Sequence, residues 1–192
     1  MSRRQSLCAT LPSVVFLIAV PVAAGTVQGR VPCADRCADY VVYLEGVGGG
    51  HSGEGEVVEL GQKNKTFIPH VLPLLAGSTL RVGNDDPFMH NVHARKDDKT
   101  VFNVNILFQY QTLDLVIAEA GVYEISCEPH PEMSAVMVAL DNPFFTQPDE
   151  TGRFEIAGVP PGSYELVSFD AERGRRRAKR VQMGEGLVTV GF

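Results

Sequence analysis

Cys127-Glu128-Pro129-His130-Pro131-Glu132-Met133 puts a thiol, an imidazole and a thioether on one short loop, each three residues from the next. Soft sulfur donors combined with imidazole suit copper, and a trigonal set of two His and one Cys with a weak axial Met belongs to electron-transfer copper. The loop supplies one imidazole, so a second must come from elsewhere. The donor read for that place is His90, in Asp85-Asp86-Pro87-Phe88-Met89-His90-Asn91-Val92-His93. Each residue alone has a plainer reading. A buried Cys is a small hydrophobe, and single His and Met residues pack or face solvent. The four identities in this order and context reverse that reading.

The residues before the loop explain how the thiol would be presented. In Tyr123-Glu124-Ile125-Ser126-Cys127 the period of two sends Tyr123, Ile125 and Cys127 to one face and Glu124 and Ser126 to the other. Cys127 then points into a core at the end of a strand. The same alternation around His90 places His93 with Asn91, on the face opposite His90. His93 and His70 read as structural, Met89 as packing, and His51 as a residue of a Gly-rich connection.

At these positions, over roughly residues 55 to 141, the sequence resembles the cupredoxins, blue copper proteins of the plastocyanin/amicyanin type. The Met-His-Asn-Val-His run at 89–93 and the Cys-x-x-His-x-x-Met loop at 127–133 carry the resemblance. It implies a Greek-key β-sandwich and one type 1 copper ion held by His90, Cys127, His130 and Met133. It also implies that Asn91 ties the two ligand-bearing loops together. Glu128 and Glu132 depart from the family's neutral and aromatic loop residues. They predict negative charge around His130 and a redox partner with a basic docking patch.

Punctuation by Gly and Pro, short apolar runs and the lack of a helical period predict an all-β chain. Strands are expected at 25–31, 40–44, 56–60, 66–75, 78–82, 88–94, 101–110, 113–117 and 121–126. Met133 to Leu140 is almost wholly apolar, as for a central strand packed on both faces. Beyond Asp141-Asn142-Pro143, the run from Thr151 to Leu166 alternates around Pro160-Pro161-Gly162. It resembles the carboxypeptidase regulatory-like domain, a small transthyretin-like sandwich, whose opening strands are matched near the start of the chain. The expected organisation is therefore a signal peptide at 1–24, opening strands of that sandwich at 25–53, an inserted copper domain at 54–141, and the remainder of the sandwich at 142–192. Two domains in tandem is the alternative.

Arg3 and Arg4, an apolar run from Leu11 to Val20 and Val22-Ala23-Ala24 read as a secretory signal. The run is too short to span a bilayer, which takes about 20 residues. Cleavage after Ala24 would remove two of the 17 Lys and Arg, leaving 15 against 23 Asp and Glu, a net charge of −8. That balance argues against nucleic-acid binding. Export to the periplasm or beyond implies an oxidising compartment. Cys33 and Cys37 are close enough to bridge, contributing about 2 kcal/mol on the chain-entropy estimate. A second metal site there would lack a neighbouring His or Met. The basic run Arg173 to Arg180 reads as a hairpin tip that binds anionic headgroups or an acidic partner, or as a solvated turn guarding a sheet edge.

The sequence thus predicts an exported carrier of single electrons rather than an enzyme, since no second His-rich constellation accompanies the first. A copper carrier or sensor using the same ligands, and a structural module without a redox role, are the alternatives.

Overall fold

The alternation in Tyr123–Cys127 is realised in full: Tyr123, Ile125 and Cys127 lie in the core while Glu124 faces solvent. The structure, a computed structural model, describes residues 24–49 and 52–192. The signal segment through Ala23, Cys8 and His51 lie outside the described residues.

The chain is all-β. In order it forms β1 (Gly25–Arg30), β2 (Tyr40–Glu45), β3 (Val57–Gln62), β4 (Phe67–Ile68), β5 (Val71–Leu75), β6 (Thr79–Asn84), β7 (His90–Lys96) and β8 (Lys99–Ile106). There follow β9 (Thr112–Val116), β10 (Gly121–Ser126), β11 (Ser134–Leu140), β12 (Phe145–Thr146), β13 (Arg153–Val159), β14 (Gly162–Asp170), β15 (Arg175–Met183) and β16 (Gly186–Gly191). A single 3-10 turn, Cys37–Asp39, is the one helical element among the described residues. Cys33 and Cys37 are joined by a disulfide beside it.

The strands assemble into sheets ordered β13-β1-β16, β12-β2-β14-β15, β5-β11-β10-β7-β8 and β4-β3-β6-β9. The two middle-chain sheets enclose one core, with Leu60, Phe67, Leu80 and Val82 facing Val92, Ile106, Tyr123, Ile125 and Met137. The two sheets made from the chain ends enclose another, with Val27, Phe154 and Ile156 facing Val42, Leu44, Leu166 and Val181. A third cluster joins the pairs: Val41, Val167 and Phe169 meet Val71, Val138 and Leu140. The molecule is therefore a stack of four β layers, and its inner sheets are covered on both sides where they meet.

That stacking accounts for the apolar run in β11. Ala135, Met137 and Ala139 enter the first core, and Val138 and Leu140 enter the contact between the pairs. β2 and β14 divide their side chains in the same way. A strand buried on both faces has no polar side to alternate with. Phe169→Ala should remove about 3 kcal/mol of stability, read by urea denaturation of the full chain, with metal binding unchanged. A loss no larger than that of an exposed-residue control would mean the two pairs are not held by this contact.

The chain leaves the end-strand sheets after Glu45 and rejoins them at Phe145, and the two crossings are tied together. The Leu44 N–H donates to the Phe144 carbonyl at 3.0 Å, and the buried Asn142 Nδ2 donates to the Leu44 carbonyl at 2.8 Å. Several boundaries differ from the sequence reading. The strand expected over 66–75 is interrupted at Pro69-His70, and β4 and β5 pair in different sheets; the Ile68-Pro69 peptide is cis. Between the strands expected at 88–94 and 101–110, β7 and β8 extend toward each other into a tight hairpin whose two turn residues, Asp97 and Asp98, have positive φ. Such a turn matches the twist of its flanking strands. The Gly-rich connection ends in a fixed position, because a Cβ on Gly53 would collide with Ser78.

Candidate metal centre

β10 delivers Cys127, and β7, its antiparallel neighbour, opens with His90, so both donors reach the same end of one sheet. The intervening loop folds back through a turn in which the Met133 N–H donates to the His130 carbonyl at 2.9 Å. Cys127 is 1 % exposed and is a free thiol, His90 is 0 % exposed, and His130 is half-buried. The Cys127 Sγ lies 3.8 Å from His90 Nδ1 and 3.7 Å from His130 Nδ1. One donor atom from each of the three lies within 4.8 Å of the others.

The two sulfur–nitrogen separations are those of donors that share one metal ion. Bonds of about 2.3 Å to sulfur and 2.0–2.1 Å to nitrogen that meet at a trigonal angle separate the two donors by about 3.8 Å. A tetrahedral angle shortens that to about 3.6 Å. Met133 is buried in the same apolar cluster as Cys127.

Asn91 spans the two ligand-bearing segments. Its backbone N–H points at the Cys127 sulfur, 3.4 Å away, and its Oδ1 accepts the Glu128 N–H at 3.2 Å. Its Nδ2 donates to Asn103 Oδ1, and Asn103 in turn donates to the Glu128 carboxylate at 2.9 Å. A closed ring of hydrogen bonds thus holds the loop against β7 and β8. An N–H aimed at a thiolate withdraws charge from it, which tunes both its basicity and any metal it holds.

Asp86 contacts the candidate donor His90, and the sequence reading assigned it no role. Its Oδ2 lies 2.8 Å from His90 Nε2, on the side of the ring away from the sulfur. It is 4 % exposed, and it also accepts the N–H groups of Asn64 and Lys65 at 2.7 and 3.0 Å. Both of those residues have positive φ, in the tight turn between β3 and β4 that aims their N–H groups at the carboxylate. Burial pushes the Asp86 carboxyl up. The Lys65 N–H, His90 and the Asn64 N–H outweigh it and hold the carboxyl below its ordinary range. The carboxylate fixes His90 with Nε2 protonated and Nδ1 free to bind. An aspartate four residues before the first ligand was the available signal.

The remaining residues fall into place around this group. The Phe88 ring stands against both imidazoles, with centroids 5.2 Å from His90 and 5.4 Å from His130. His93 lies opposite His90, with Nε2 2.8 Å from the Thr100 hydroxyl. His70 spans the layers, with Nδ1 3.0 Å from the Ser134 carbonyl and Nε2 2.6 Å from Glu172. Met89 is exposed and is not brought to the donors' core. The two loop glutamates are engaged: Glu128 lies 3.4 Å from His93 Nδ1 as well as bonding Asn103, and Glu132 lies 3.9 Å from Lys65. Exposed Phe88, Met89, Leu107, Phe108 and Tyr110 add apolar surface to this end. Asn84 connects their two loops by donating to the carbonyls of Phe88 and Phe108.

No protein-family model matches the chain, and no curated protein matches it. Among solved structures the chain is similar to a purple cupredoxin from Nitrosopumilus maritimus, at 23% identity over 44% of this chain and 99% of that one, with a TM-score of 0.39. It is similar to amicyanin from Paracoccus versutus at 19% identity, over 52% of this chain and 97% of the other, with a TM-score of 0.40. A copper-containing nitrite reductase from Thermus scotoductus SA-01 is 20% identical over 50% of this chain and 25% of its own length, with a TM-score of 0.41.

Proposed function

We propose that this chain is an exported electron carrier that holds one type 1 copper ion on His90, Cys127 and His130, with Met133 as a weak axial ligand. The observation that carries the reading is the pair of sulfur–nitrogen separations, 3.8 and 3.7 Å, at the end of a sheet. Copper bound there supplies a one-electron couple, with thiolate and thioether favouring the reduced ion. The chain supplies the frame. β7, β10 and the hydrogen-bonded ring through Asn91 hold the donors with little freedom to rearrange, so little nuclear motion accompanies a change of charge. Half-buried His130 is the donor nearest solvent and the natural exit for the electron.

We read the protein as a carrier rather than an enzyme, with the His90, Cys127 and His130 cluster as its redox site. The exposed rings beside His130 suit an apolar contact with a redox partner. Glu128 and Glu132 would meet basic groups on that partner at the rim, where complementary charge steers encounter. We place the chain outside the cytoplasm, in the periplasm or beyond. The Cys33–Cys37 bridge supports this. No helix among the described residues is long and apolar enough to cross a membrane. We read residues 54–141 as a copper domain inserted into a carboxypeptidase regulatory-like sandwich made of 25–53 and 142–192. Its support is the pairing of β1 with β13 and β16, and of β2 with β12 and β14, across the whole chain.

The test is a titration of the full metal-free chain with Cu(II). An intense blue absorption saturating at one equivalent, bleached by ascorbate and restored by a mild oxidant, is the expected result. Binding without the blue band would overturn the thiolate site. A blue site that loses its metal within seconds to a chelator would identify a copper carrier instead.

A further inference from the structure

β15 carries a feature that the metal site does not use. Its pairing register with β14 sets Arg177 opposite Ser168 and Arg175 opposite Asp170, so each pair shares a face of the sheet. Farther along, on that same face, Leu166, Val181 and Met183 enter the core of the end-strand sandwich. Arg175 and Arg177 thus lie on the core-side face of an edge strand, beyond its apolar residues, and are exposed at the open rim between two sheets. There the structure has a cavity of about 70 Å³ lined by Tyr40, Ser168, Asp170, Arg173, Arg175 and Arg177 and walled by Val31 and Pro32.

Charge within this cavity is unbalanced. Asp170 is buried and compensated twice over: Arg173 lies 3.3 Å and Arg36 3.7 Å from its carboxylate, and Arg36 also pairs with Asp39 at 2.6 Å. Arg176, on the opposite face, is neutralised by Glu45 and Glu165. The side chains of Arg175 and Arg177 have no ion-pair or hydrogen-bond partner among the described residues. Four guanidinium groups therefore converge on two carboxylates, leaving a surplus of two positive charges at the cavity. A guanidinium offers paired N–H donors in a plane that matches the oxygens of a phosphate. The Ser168 hydroxyl beside it is a further donor.

We propose that this cavity is a binding site for a tetrahedral oxyanion of the phosphate class, gripped by Arg175 and Arg177 and floored by Ser168. The ligand is either a free phosphate-type anion or the phosphodiester headgroup of an anionic lipid, which present the same oxygens. The site is independent of the metal centre, so it stands or falls separately from the electron-carrier reading.

The experiment uses the full chain at low ionic strength. Inorganic phosphate is titrated by calorimetry, and sedimentation with phosphatidylglycerol vesicles is compared with phosphatidylcholine vesicles. Saturable one-site binding of phosphate, or selective binding of the phosphatidylglycerol vesicles, is expected. The first identifies the free anion as the ligand and the second the headgroup. Arg175→Gln with Arg177→Gln should weaken that binding by roughly tenfold or more, as expected on losing two charge-assisted contacts. Both arginines are exposed at the cavity mouth, so the thermal midpoint and the response to Cu(II) should be unchanged. Arg180→Gln, on the opposite face of β15, should leave binding as it was. No saturable binding in either assay, or an equal loss in Arg180→Gln, would overturn the proposal and leave these arginines as charges guarding a sheet edge.

Discussion

Cys127→Ser should give a folded protein that stays colourless when Cu(II) is added. The thiolate is the donor whose bond to copper produces the intense band, and a hydroxyl at the same place is a poor ligand for either oxidation state. The substitution is nearly isosteric. The Asn91 N–H that now faces the sulfur at 3.4 Å would find an oxygen acceptor instead. Stability of the metal-free form should therefore change by only about 1–2 kcal/mol, the usual range for altering one buried polar contact. Absorption spectra and urea denaturation of the same samples separate the two effects. A blue variant would mean that Cys127 is not the ligand, and a variant that does not fold would be replaced by Cys127→Ala, which keeps the site apolar.

Asp86→Asn is expected to weaken metal binding by about 10- to 100-fold, the range typical of partners that orient a ligating imidazole. The carboxylate accepts from His90 Nε2 at 2.8 Å and is nearly excluded from solvent, so its charge is poorly screened. It makes the imidazole a stronger donor and favours the more highly charged ion. An amide keeps the shape and removes the charge. The reduction potential should rise, by roughly 60 mV for each tenfold by which the loss falls harder on the oxidised ion. A potential unchanged in Asp86→Asn would rule out this electrostatic role. The same residue predicts an acid limb in the stability of the metal-free chain. Its carboxyl is held low in the folded state, so its contribution is full above the unfolded pKa and is lost as pH falls through the folded value. In Asp86→Asn that limb should flatten.

The candidate donors could be picked out in the sequence because their chemistry is local. Cys127, His130 and Met133 share one loop, and the alternation from Tyr123 to Cys127 fixes which way the thiol points before any partner strand is known. The apolar run of β11 announced a strand covered on both faces for the same reason, since a period of two with no polar member has only one physical reading. The break at Pro69-His70 and the turn at Asp97-Asp98 were less legible. Strand identity there depends on which sheet each half joins, and apolar content does not encode that.

What the amino-acid order determined by itself was the type of structure, the side of each strand that is buried, and the donors present in the loops. The tertiary structure alone decided that Asp86 reaches His90, that Phe88 stands against both imidazoles, that the end-strand sheets stack on the middle-chain sandwich through Phe169 and Val138, and that Arg175 and Arg177 line one cavity with Ser168 and Asp170. Backbone period and side-chain chemistry act over a few residues and survive in the sequence. Contacts among these groups, whether four residues apart as in Asp86 and His90 or far apart as in Val138 and Phe169, are set by strand register and layer packing and exist only once the sheets have formed.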